Sequence, residues 1–194
     1  VDTAMVGQLG EQATASVSIT TNVTWLVNSV SGAVGTAVLV LLSKAAGAGD
    51  EKQVKKLSQQ TLFLALASGV LLEILSLILC PYIPIWMGAE PAIRDQASRY
   101  FFIISVPLVF RYVSTVLGAA LRAVQDTKTP MLISLAANGL NIVMNYFLIY
   151  PANLGVDGAA IASAISYALS GILMFISCRK NSQLCWKLRE FSVD

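Results

Sequence analysis

The chain has 194 residues, of which 56% are hydrophobic and 12% are charged. A soluble domain of this size carries roughly a quarter charged residues, so the composition indicates an integral membrane protein. The sequence has no histidine and a formal net charge of +2. Imidazole catalysis and imidazole metal ligation are therefore excluded, and the charge gives no indication of nucleic-acid binding.

The first predicted element is the end of a membrane helix. The residues VDTAMVG look like the outer end of a span whose beginning is not included, and the chain starts with Val1 rather than Met. It ends in a basic, amphipathic tail, RKNSQLCWKLREFSVD. We therefore expect a fragment of a longer protein.

Five apolar stretches follow, and each is long enough to cross a membrane. A hydrocarbon core about 30 Å thick needs roughly 20 apolar residues in a helix. The stretches cover residues 19–42, 62–80, 100–121, 131–150 and 156–178. The pattern predicts an all-α, polytopic membrane protein.

Basic residues are concentrated in the loops on one side of these spans. The opposite side carries Arg94 and Arg99, and the short segment before the last span carries none. Because positively charged loops stay in the cytoplasm, the basic side is predicted to be cytoplasmic, and we expect a multi-pass protein of a bacterial cytoplasmic membrane. The basic residues on that side are Lys44, Lys52, Lys55, Lys56, Arg122, Lys128, Arg179, Lys180, Lys187 and Arg189.

Polar side chains recur at helical spacing inside three spans. Lipid cannot satisfy polar groups, so we expect these faces to contact other helices or a water-filled cavity. Packing between helices explains a serine stripe, whereas three amides on one stripe favour a cavity or an ion site. The polar faces are Ser134, Asn138, Asn141 and Asn145 in the fourth span; Ser163, Ser166, Ser170 and Ser177 in the fifth; and, in the first, Ser18, Asn22, Ser29 and Thr36 beside Thr21, Thr24, Asn28 and Ser31.

Ionisable residues at membrane depth are few. Glu73 and Arg111 lie in consecutive antiparallel spans, and we expect an intramembrane ion pair between them. The alternatives are that Glu73 titrates or that Arg111 attracts an anionic substrate. Asp2, near the outer end of the first helix, is a candidate proton or cation carrier.

No catalytic pattern is present in the sequence. It lacks a Gly-x-Ser-x-Gly motif, and the glycines of AAGAGDEK lack the Gly-Lys-Ser/Thr ending of a phosphate-binding loop. The three cysteines, Cys80, Cys178 and Cys185, do not have metal-ligand spacing. We expect neither an enzyme nor a bound cofactor or resident metal.

Three stretches in order, VDTAMVGQLG, GAALRAVQDTKTP and NGLNIVMNYFLIY with LGVDGAAIASAIS, resemble the MATE family of multidrug and toxic-compound extrusion transporters. The resemblance implies twelve helices in two six-helix bundles around a central cavity. Residues 1–180 would then be the N-terminal bundle, with its first helix truncated, and 181–194 the start of a cytoplasmic linker. The partners implied are a small organic substrate, membrane lipid and the C-terminal bundle.

The resemblance also implies a coupling site for H⁺ or Na⁺. The positions that match it are Asp2, Asn141, Asn145 and Ser163. Family members often have an aspartate where this chain has Asn145. An amide keeps an oxygen ligand but removes a charge, so we expect H⁺ coupling through Asp2 rather than Na⁺ coupling. Candidate cavity-lining residues are Asn22, Trp25, Asn28, Asn138 and Met144.

Two other functions stay open at this stage. A lipid-linked oligosaccharide flippase of the same superfamily would need a strongly cationic cavity to hold pyrophosphate. A non-transporting membrane scaffold subunit would pair its polar stripes completely and leave no water-accessible cavity.

Overall fold

The computed structural model describes residues 6–7 and 11–184. Seven helices follow one another in this part of the chain: α1 (Glu11–Gly47), α2 (Glu51–Leu79), α3 (Ile83–Trp86), α4 (Pro91–Ser105), α5 (Leu108–Ala123), α6 (Lys128–Ile149) and α7 (Gly155–Lys180). The predicted all-α fold is confirmed.

Four of these helices, α1, α2, α6 and α7, are each long and apolar enough to cross a membrane. Together, α4 and α5 are long and apolar enough for a fifth crossing, bent by 48° at the short break between them. Large apolar side chains such as Leu64, Leu71 and Ile78 of α2 are exposed, as expected for residues that face lipid. The chain is therefore a multi-pass membrane protein.

The third predicted span is broken rather than continuous. Helix α4 ends at Ser105 and α5 begins at Leu108. Pro107 has no backbone N–H, so it cannot donate the hydrogen bond to the Ile103 carbonyl that a continuous helix would require. The sequence predicted the position of this crossing but not the break within it.

The turn between α1 and α2 and the residues after α7 meet at one end of the bundle. The end that carries the α1–α2 turn is called here the basic end, and the end that carries the α6–α7 turn the opposite end. At the basic end, Gly49 has a φ of 71°, and the Asp50 side chain accepts a hydrogen bond of 3.0 Å from the Gln53 backbone N–H, which caps α2. Residues after α7 return to this end, where Leu184 is fully buried and its carbonyl accepts a hydrogen bond from Ser58 Oγ at 2.8 Å.

Helix α5 lies at the centre of the bundle. It packs against α1, α2 and α7, while α6 packs mainly on α7. Small residues allow the close approach, as is usual between membrane helices. The tightest contact is at Gly171 of α7, where an added Cβ would lie 2.5 Å from the backbone oxygen of Phe110. The α5–α7 contact therefore leaves no room for a side chain at Gly171.

We predict that Gly171→Ala destabilises the protein. The new methyl group would collide with backbone that cannot rotate away, and overpacking of this kind costs about 1–3 kcal/mol. The apparent melting temperature of the purified protein in detergent should fall. Gly139→Ala is the matched control, because a Cβ at Gly139 would meet nothing within 4 Å; equal melting temperatures for the two variants would contradict the packing described here.

Candidate functional site

A chain of hydrogen bonds joins α6 to α7 near the opposite end of the bundle. Asn145 Nδ2 donates to Asn141 Oδ1 at 3.1 Å, and Asn141 Nδ2 donates to Ser163 Oγ at 3.0 Å. Positions i and i+4 lie one above the other on a helix, so both amides face the same neighbour. The structure thus brings together three of the four residues implied by the family resemblance. We call these three residues the amide network.

Two of the three residues of the amide network are buried. Asn145 is 0% exposed and Ser163 is 1% exposed, whereas Asn141 is half-buried. A buried amide is costly unless it is hydrogen-bonded, and the two hydrogen bonds given above offset part of that cost. Close helix packing supports the arrangement: an added Cβ at Gly158 would lie 2.8 Å from the Leu148 carbonyl oxygen. All three members are neutral, so any charge at this site has to come from elsewhere.

The fourth implied residue, Asp2, lies outside the described residues. The described chain begins at Val6, which is fully buried in a cluster with Ile149 and Val156. Ile149 is one helical turn beyond Asn145. The described chain therefore starts beside the helix ends next to the amide network.

The predicted cavity-lining residues are outside this network. Asn22, Trp25 and Asn138 are exposed, Trp25 by 69%, and Asn28 and Met144 are partly buried. In the described residues, none of the amides Asn22, Asn28 and Asn138 is hydrogen-bonded to the amide network. Their role in lining a cavity stays a prediction.

The hydroxyl faces of α1 do not need the partners that the sequence analysis expected. Thr21 and Thr24 donate to the carbonyls of Val17 and Thr20, each at 2.9 Å, and Ser29 donates to Trp25 in the same way. A hydroxyl that bonds back to its own helix needs neither a neighbouring helix nor water. Because the hydroxyl groups need no outside partner, these faces alone give no evidence for a cavity.

The predicted ion pair between Glu73 and Arg111 is not formed. In the described part of the chain, the one salt bridge joins Arg99 of α4 to Asp157 of α7. Arg111 lies over the ring of Tyr167, with its Cζ 4.6 Å from the ring centroid, while Glu73 Oε2 accepts a 3.1 Å hydrogen bond from the Val109 backbone N–H. Val109 and Arg111 are about 200° apart around α5. Glu73 therefore contacts one side of α5, and the Arg111 side chain extends from the other side.

Further contacts between helices were not predicted from the sequence. Ser16 of α1 donates to Gln96 of α4 at 3.1 Å, and Ser114 of α5 contacts Ser170 of α7 at 2.7 Å between their Oγ atoms. The first depends on which helices are neighbours, which one sequence does not reveal. For the bond between Glu73 and the start of α5, the available signal was Pro107 inside an apolar run.

Comparison with known proteins supplies the family. The helices described above are membrane helices with a small polar network between them. The MatE family profile matches residues 1–147 of the chain. The chain belongs to this family.

Among its relatives, a probable multidrug resistance protein NorM of Thermotoga maritima is 32% identical over 180 residues, which are 90% of this chain and 39% of the relative. A FAD transporter of Shewanella oneidensis is 30% identical over 190 residues, which are 92% of this chain and 41% of that relative. The chain thus spans about two-fifths of the length of these relatives.

Solved structures agree with the fold. A MATE crystal structure in a bent conformation matches the whole chain with a TM-score of 0.94 at 24% identity. The match covers 44% of that protein. A MATE structure in a straight conformation matches with a TM-score of 0.92 at 25% identity, over 43% of its length. The helices described above therefore have the arrangement found in part of a MATE transporter.

We predict that Asn145→Ala destabilises the protein more than Asn138→Ala. Loss of the Asn145 amide removes the hydrogen bond to the half-buried Asn141 oxygen, whose net contribution is about 1 kcal/mol. Asn138 is exposed on the same helix, so its truncation should have little effect. Thermal unfolding in detergent measures both variants, and similar melting temperatures would show that the amide network does not stabilise the α6–α7 contact.

Proposed function

We propose that this chain forms part of an antiporter that exports small organic compounds in exchange for H⁺ by alternating access. Membership of the MatE family supports the class of protein. The observation that carries the proposal is the amide network, because two buried polar side chains and one half-buried one are costly to place in an apolar bundle and are not needed to cross the membrane. Polar groups at membrane depth commonly mark ion or proton pathways.

The choice of coupling ion in this proposal rests on the charges available. Asn141, Asn145 and Ser163 offer two amide groups and one hydroxyl, all neutral. Asp2 supplies the carboxylate in this proposal, so one proton neutralises the site completely. Na⁺ could be balanced by the same carboxylate, but a hard cation prefers several oxygen ligands and more negative charge. We therefore favour H⁺, with Na⁺ as the alternative.

Transport requires that the coupling ion and the substrate favour different conformations. In the proposed cycle, the substrate occupies the outward-open cavity while Asp2 is ionised. Protonation of Asp2 from outside weakens substrate binding, the substrate leaves, and the empty transporter returns its proton to the cytoplasm. A ligand can shift such an equilibrium only by its difference in affinity for the two states.

The substrate is proposed to contact the predicted cavity-lining side chains. Asn22, Asn28 and Asn138 offer hydrogen bonds, and Trp25 and Met144 offer adaptable apolar contacts. One relative is named a FAD transporter, so we propose small organic compounds in general as substrates rather than cations alone. Arg111 is engaged on the Tyr167 ring, and no described feature favours the flippase alternative.

We predict that Asp2→Asn abolishes proton-driven transport. The full-length gene product would be reconstituted in proteoliposomes, and export of a fluorescent organic cation would be followed under a pH gradient, with and without Na⁺. Loss of the only carboxylate of the proposed site should reduce coupled transport by more than about tenfold. Activity that rises with Na⁺ in the wild type would favour the alternative ion.

Asp95→Asn is the matched control for this experiment. Asp95 is exposed on α4, so its loss should leave coupled transport near the wild-type rate. Normal coupling in Asp2→Asn would show that the coupling group lies elsewhere, and the proposed role of Asp2 would then be wrong.

The proposed orientation places the basic end in the cytoplasm of a bacterial cell, as the positive-inside rule implies. Ser182 is exposed at this end and Asn153 is exposed in the α6–α7 turn. In intact cells, a membrane-impermeant thiol reagent should label Asn153→Cys at once and Ser182→Cys only after permeabilisation. The reverse pattern would overturn the orientation.

A further inference from the structure

The broken third crossing leaves backbone donors at the start of α5. A helix begins with four N–H groups that have no partner within the helix, and lipid cannot supply one. The residue that precedes α5 is Pro107, and it provides no side-chain cap. The donors at this break therefore need an acceptor from another part of the bundle.

Glu73 of α2 provides that acceptor. Its Oε2 lies 3.1 Å from the backbone nitrogen of Val109, in the first turn of α5. The positive end of the helix dipole also favours a carboxyl group at this place. In the described chain, the Glu73 side chain makes no other hydrogen bond or ion pair, so capping α5 is the role that the structure gives this membrane-embedded acid.

The same turns of α5 make the close contacts with α7. Phe110 packs its backbone against Gly171, Arg111 lies over Tyr167, and Ser114 is hydrogen-bonded to Ser170. Tyr167 is one helical turn from Ser163, the α7 member of the amide network. A shift at the start of α5 would therefore be passed to α7 and then to Ser163.

We propose that Glu73 is a positioning residue: its carboxyl group caps α5 at the break, holds α5 in register with α7, and thereby places Ser163 for Asn141. The effect on transport rests on the proposed antiport function. The effect on the α5–α7 register does not, so the two can fail separately.

Three substitutions of Glu73 separate the effect of side-chain length from the effect of charge. Glu73→Gln keeps an oxygen of the same reach but removes the ionisable group. Glu73→Asp keeps the charge, but its side chain is one methylene shorter and loses contact with Val109. Glu73→Leu removes both.

The first readout is a disulfide between α5 and α7. In the full-length gene product with all native cysteines replaced by alanine, Ser114→Cys and Ser170→Cys would be combined with each Glu73 variant, and the rate of oxidative cross-linking in membranes measured. Glu73→Gln should cross-link at nearly the wild-type rate, while Glu73→Asp and Glu73→Leu should cross-link at least about fivefold more slowly. Glu90→Leu, at an exposed position beside α4, is the control and should cross-link normally.

The second readout is the pH profile of transport in proteoliposomes. Glu73→Gln should retain the wild-type profile and rate, whereas Glu73→Asp should transport more slowly. The proposal is overturned if Glu73→Asp cross-links and transports better than Glu73→Gln, since charge rather than capping would then matter. It is also overturned if folded Glu73→Leu protein, verified by size-exclusion chromatography, cross-links like the wild type.

If transport fails in the wild type while the cross-linking order holds, the antiport function is wrong but the positioning role stands.

Discussion

The hydrogen-bonding demand of polar groups in lipid is the constraint on which this structure depends. Within the hydrocarbon there is no water to pair with an exposed N–H, C=O or amide. Polar groups of the bundle are hydrogen-bonded in three ways. Hydroxyls of α1 bond back to their own helix, Glu73 of α2 caps the broken start of α5, and the amides of α6 bond to each other and to Ser163 of α7.

These three kinds of hydrogen bonding differ in whether they connect one helix to another. Hydroxyl groups bonded to their own helix are locally satisfied, and they can face lipid or a cavity alike. The Glu73 cap and the amide network instead join different helices, so in the proposed transporter they would pass a displacement from one helix to the next. Helix α5, which packs against α1, α2 and α7, lies between the two. In the proposed transporter, a change of protonation near the amide network would therefore reach the broken crossing through α7.

The sequence was sufficient for features that depend on local spacing. Apolar runs predicted the crossings, and the separation of Asn141 and Asn145 by four residues predicted their shared face; the pairing with Ser163 came from family resemblance. Features that depend on helix neighbours were not accessible. Glu73 and Arg111 were predicted to form an ion pair because they lie on consecutive antiparallel spans. Glu73 instead contacts one side of α5, and the Arg111 side chain extends from the other side. The break at Pro107 also removed the continuous helix on which that pairing was based.

The central claim is that the amide network is an aqueous coupling site rather than a sealed structural contact. The most direct test is the reaction of Asn141→Cys with a membrane-impermeant thiol reagent in native membranes, with Asn153→Cys as the accessible reference. Asn141→Cys should be labelled, and acidification, which protonates the proposed site, should change the labelling rate. If Asn141→Cys reacts only after denaturation while Asn153→Cys reacts readily, the network is sealed, and the scaffold interpretation would replace the transporter.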